Sequence, residues 1–95
     1  MSKYMLLHCG FEMPTPEIME RWNAWFADTK DHTIDMGGFM NGRELTHDGT
    51  NDLPWGEESL TGYTIIEADS MEAAEAMAAT NPFIKSIRIY EIRTG

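Results

Sequence analysis

The most constraining stretch of the chain is residues 60–70, LTGYTIIEADS. It reads as a strand that runs into a helix cap with almost no slack. Gly62 opens the strand, Tyr63 to Ala68 alternate in character, and Asp69-Ser70 starts the next helix. Any fold for this chain has to place a strand and a helix in immediate succession here. The period of two puts Tyr63, Ile65 and Glu67 on one face and Thr64, Ile66 and Ala68 on the other.

The rest of the chain falls into place around that unit. Residues 3–9, KYMLLHC, form a short apolar run bounded by Gly10, which suits a buried strand. Thr15-Pro16 predicts a helix start, with Thr15 as cap and Pro16 at the first helical position. Ile18, Trp22, Trp25 and Phe26 then mark one buried helical face. Residues 34–40 read as a weaker strand, in which Gly37-Gly38 signals a bulge or a close approach to the backbone. Asn41-Gly42 is a turn, and residues 43–46 resume an extended path. Residues 47–59, HDGTNDLPWGEES, read as a long loop or irregular hairpin at the surface, with a turn at Asp48-Gly49 and Trp55 standing out. Ser70 caps a second helix whose inward face is Ala73, Ala74, Met77 and Ala78, and Asn81-Pro82 ends it. Residues 84–92 supply the last strand. The order β-α-β-β-α-β predicts an α+β, ferredoxin-like fold: an antiparallel sheet with two helices on one face.

Ninety-five residues make one domain, 1–95, with a small core. Sixteen acidic residues against seven basic ones give a net charge of −9, which argues against nucleic acid and anionic membranes as partners. The one cysteine, Cys9, excludes an intramolecular disulfide. No apolar run approaches a membrane span and nothing near the start resembles a signal peptide, so a cytoplasmic protein is the expectation.

Two helices cover only one sheet face. In the usual strand order of this fold, 4-1-3-2, the covered face is expected to take Met5, Leu7, Thr64, Ile66, Ile87 and Ile89. The open face is expected to take Tyr4, Leu6, His8, Tyr63, Ile65, Glu67, Arg88, Tyr90 and Ile92. That mixture is too apolar for solvent, and it predicts a homodimer packed sheet to sheet around a pocket. Within it, His8 suits proton transfer near neutral pH, Tyr63 or Tyr90 suits donation to an oxyanion, and Arg88 suits a carboxylate. The alternative is that His8 and the tyrosines are hydrogen-bonded filling in an interface. Asp35, beside Gly37-Gly38, is placed at the pocket mouth, and Trp25 at its rim. His8, His32 and His47 lack ligand spacing, so no metal site is expected, and no dinucleotide fingerprint, P-loop or nucleophile elbow points to a cofactor.

KYMLLHCG, the Trp22-Asn23-Ala24-Trp25 helix, DMGGFMNGRELTHDG and, above all, LTGYTIIEADSMEAAEAMA resemble the YCII-related proteins, including the branch called DGPF-domain proteins. Asn81-Pro82-Phe83-Ile84 is similar to the link before the last strand in that group. The resemblance implies a dimeric α/β barrel of two facing sheets. It also implies a pocket faced by a histidine and an aspartate, with a few relatives acting on small aromatic compounds. Some DGPF relatives are associated with sigma factors, which implies a regulatory role. Two departures stand out. Asp48-Gly49 continues into Thr50-Asn51 and does not complete the DGPF tetrapeptide. The first helix also lacks the histidine carried by proteins closest to YCII itself, so that residue has no counterpart here; His8 and Asp35 are this chain's own candidates.

The functional expectation is therefore a small-molecule-binding homodimer with its ligand between the sheets and no metal or cofactor. Candidate catalytic residues are His8 and Asp35; ligand-binding candidates are Tyr63, Arg88, Tyr90 and Trp25. The alternatives are a cofactor-independent enzyme moving a proton on a small aromatic or anionic substrate, and an accessory dimer module associated with transcription.

Overall fold

The computed structural model describes residues 2–56 and 58–93. In chain order its elements are β1 (Ser2–Cys9), α1 (Pro16–Thr29), β2 (Thr33–Gly38), β3 (Gly42–Thr46), β4 (Gly49–Leu53), β5 (Leu60–Ala68), α2 (Met71–Ala79) and β6 (Ser86–Glu91). Four strands form one antiparallel sheet in the order β2-β5-β1-β6, and β3-β4 form a separate hairpin. This is the expected α+β architecture with its expected strand order, and of the two readings of residues 47–59, loop or irregular hairpin, a hairpin forms, with residues 42–46 as its first strand.

The local signals act as read. The Thr15 hydroxyl accepts from the Ile18 N–H at 3.2 Å, with Pro16 starting α1. The Ser70 hydroxyl accepts from the Ala73 N–H at 3.1 Å and starts α2 one turn after β5 ends. Each bond satisfies an amide that the helix itself leaves without a partner. The small side chains of Ala74 and Ala78 bring α2 down onto the sheet, where both are buried. The indole N–H of Trp25 donates to the Met77 carbonyl at 3.0 Å and fastens α1 to α2.

One expectation is overturned. Tyr4, Leu6 and His8 lie under the helices, not on the open face. Directly opposed residues of antiparallel strands share a face. Tyr4 stands opposite Ile66, and Leu6 opposite both Thr64 and Ile89. The core is therefore Tyr4, Leu6, Trp25, Ile66, Ala68, Ala74 and Ala78, with Ile87 and Ile89 packed against it. Met5 and Leu7, opposite Ile65 and Tyr63, are the residues that face outwards. The cause is physical: both faces of β1 are largely apolar, so its alternation does not mark an inside. Filling the space beneath the helices decides it, and the Tyr4 ring fills more of it than Met5.

The helices cover one face only, so the molecule is a slab, 41 × 40 × 18 Å. Its radius of gyration is 14.4 Å, against about 12.4 Å for a compact chain of this length. The separate β3-β4 hairpin, exposed along its whole length, adds to this extension. Among the described residues no helix is long and apolar enough to cross a membrane.

Candidate functional site

The open face is built from β2, β5, β1 and β6. Its centre is Tyr63, opposite Gly37 on β2 and Leu7 on β1. The phenol ring lies across Gly37 so closely that a Cβ there would stand 2.8 Å from ring atom Cε1. This is the close approach that Gly37-Gly38 signalled. The Tyr63 hydroxyl donates to Asp35 Oδ2 at 3.0 Å, and Asp35 Oδ1 accepts the Met36 N–H at 2.9 Å. Donation to the carboxylate raises the Tyr63 pKa above its ordinary value. Phe39 stacks on Tyr63, centroids 5.6 Å apart at 23°.

Phe39 leads into a cleft of about 660 Å³ at the end of the sheet. Its walls include Met40, Leu53, Trp55 and Leu60, and Cys9, Arg43, Arg88 and Glu58 also line it. Cys9 follows His8 on β1 and so takes the opposite face. The segment carrying Trp55 is pinned at several points. The Ser59 hydroxyl accepts the Gly56 N–H at 2.8 Å and donates to the Pro54 carbonyl at 3.1 Å. The Ser59 carbonyl accepts the Gly10 N–H at 2.8 Å, just beyond β1. Phe11 packs on Trp55, centroids 5.5 Å apart. Glu58 is ion-paired with Lys85, and that pairing holds its carboxyl below the usual range.

His8 belongs elsewhere. It is buried on the helix side, its Nε2 3.0 Å from Thr64 Oγ1, with the rings of Trp22 and Trp25 edge-on at 5.2 and 6.0 Å. Its Nδ1 has no hydrogen-bond partner among the described residues. Burial lowers its pKa to about 4, so the imidazole is neutral at pH 7. It lines a smaller cavity of about 300 Å³ beneath α1, together with Trp22, Phe26, Met36, Thr64 and Tyr63.

The sequence candidates thus divide into groups. Asp35 and Tyr63 are joined by a hydrogen bond on the open face. Arg88 lines the large cleft. Tyr90, opposite Met5, is on the same face and 54 % exposed, outside the cleft lining. Trp25 is not at a pocket rim; it is 2 % exposed and part of the core. The structure does not bring His8 together with Tyr63's hydroxyl and Arg88 on one face. Sequence reasoning missed Phe39, Arg43 and Cys9 as cleft residues. Trp55, isolated in a polar stretch, was the one available signal for them. Among the described residues no three His, Cys, Asp or Glu side chains stand together as a metal site.

A solved structure of 5-chloro-2-hydroxyhydroquinone dehydrochlorinase (TftG) from Burkholderia phenoliruptrix AC1100, in complex with 2,5-dihydroxybenzoquinone, has a similar fold. The TM-score is 0.58 at 12% identity, covering 98% of this chain and 95% of that one. No curated protein matches. The model of the YCII-related domain matches residues 6–94, nearly the whole chain, and the protein belongs to that family.

Proposed function

We propose that the protein is a homodimer that binds a small organic molecule at the open sheet face, in the cleft beside Trp55. The observation that carries this reading is the cleft itself. It is about 660 Å³, within the range of small-molecule sites, and its walls are apolar with a few polar groups. The uncovered face bearing Met5, Leu7, Tyr63 and Ile65 supplies the motive for pairing, since an apolar sheet face left in water marks an association surface. The structural neighbour is described in complex with a small quinone, which agrees with this reading.

The test is a thermal-shift screen of small aromatic and anionic compounds, followed by calorimetry on each hit with Trp55→Ala. Stabilising ligands whose affinity drops in Trp55→Ala support the reading. Ligands that bind with unchanged affinity in that variant remove the cleft as their site.

A second reading is proton transfer on the bound molecule, favoured by the bond between the Tyr63 hydroxyl and Asp35. The carboxylate suits a base and the phenol a donor to developing negative charge. His8, neutral and on the other face, has no part in it. Turnover of a bound compound that survives intact in Asp35→Asn rules this reading out.

A further inference from the structure

The cleft combines aromatic walls with an unusual local charge. Its lining holds two of the chain's four arginines, Arg43 and Arg88, in a protein of net charge −9. Among the described residues the acidic group in the lining is Glu58, which is paired with Lys85 and also lies within the field of Arg88. Arg43 Nε stands 3.3 Å from Asp52 Oδ1, but both side chains are largely in solvent, so the pair holds Arg43 weakly. Arg88 makes no ion pair with any described residue. Each of the two ring walls is braced by a second ring, Trp55 by Phe11 and Phe39 by Tyr63. Braced rings lose little freedom when a flat molecule settles against them. A guanidinium supplies a planar fork of donors that fits a carboxylate with two bonds.

From this we infer that the cleft takes a planar aromatic carboxylate, its ring between Phe39 and Trp55 and its anionic group on Arg88, with Arg43 as the second cation. The inference rests on the cleft being the small-molecule site and adds the class of ligand. Arg88 is then the residue that selects for charge, and the rings select for flatness.

The test compares 2-naphthoate with its neutral near-isostere 2-naphthalenemethanol, by calorimetry on the whole chain. Naphthoate is expected to bind roughly tenfold or more tightly, the scale of one charge-assisted bidentate contact. It is also expected to slow alkylation of Cys9, whose buried thiol lines the same cleft. Arg88→Gln should bring the two affinities within about twofold by weakening only the naphthoate. Arg88 is exposed on the edge strand β6, so the variant is expected to fold; Arg43→Gln, which should narrow the preference in part, is the second variant. Equal affinity of the wild-type protein for both compounds overturns the carboxylate while leaving the cleft as a site. A preference that persists in both arginine variants also overturns it. If neither compound binds and Cys9 alkylation is unchanged, the cleft reading fails as well. A dimer whose dissociation by Trp55→Ala accompanies absent binding shows the cleft filled by the second copy, and overturns both.

Discussion

Gly37 and Gly62 face one another's neighbours across β2 and β5, yet a methyl group added to each meets different matter. At Gly37 the obstacle is the Tyr63 ring, 2.8 Å from the new Cβ; at Gly62 it is the Gly37 carbonyl oxygen, also at 2.8 Å. A side-chain ring can swing away, whereas a strand carbonyl cannot without moving the strand. Gly37→Ala is therefore expected to cost about 1 kcal/mol or less while breaking the bond to Asp35. Its readout is the Tyr63 phenol, followed by NMR: its raised pKa falls back towards the ordinary value, as it also does in Asp35→Asn. Gly62→Ala is expected to cost about 2–3 kcal/mol in urea denaturation, because the clash lies in the backbone. His8 gives a third prediction. Its pKa is about 4 in the folded protein, against an ordinary value of 6.5. The unfolded chain takes up the proton first as pH falls below 6.5, so stability drops with falling pH across the window from 6.5 to 4. The loss from this group between pH 7 and pH 5 is about 2 kcal/mol. His8→Leu should remove that part of the slope; an unaltered slope in the variant shows that other groups produce it.

At the scale of elements, the helix starts are the most local features and the easiest to read. Thr15 and Ser70 act on amides three residues away, so neighbours in sequence are the partners in space. Ser70→Ala should lower stability by about 1 kcal/mol, measured by thermal or urea unfolding. The alternation of β5 was equally legible, because its apolar and polar faces differ. β1 was not, since Tyr4, Leu6 and His8 match Met5, Leu7 and Cys9 in apolar character, and only partners far along the chain decide which set goes inside. Putting His8 outside followed from its polarity, but the Thr64 hydroxyl satisfies one ring nitrogen within the core. The cleft was the least legible feature. It joins Cys9, Phe39, Trp55 and Arg88 from four separate segments, and no spacing in the sequence encodes that meeting.

At the scale of the molecule, the one-sided sheet is the dominant fact. Ile65 lies mid-strand on β5, opposite Met5, on the uncovered face. Ile65→Lys places a charge where the proposed partner copy packs, and sedimentation should show a folded monomer where the parent is a dimer. A monomeric parent at micromolar concentration removes the homodimer. The strand order has a further consequence, and it concerns how the chain is made. Among the strands of this sheet β1 is synthesised first, and both its neighbours come late: β5 after the hairpin, and β6 after α2, with Tyr4 meeting Glu91. The strand therefore waits, apolar on both faces, with one edge open until β5 has emerged and the other until β6 has. Such distant pairings close slowly, and an unpaired apolar strand is a target for wrong partners in the meantime. For this protein the hazardous interval falls during synthesis, while residues 2–9 still lack their sheet partners.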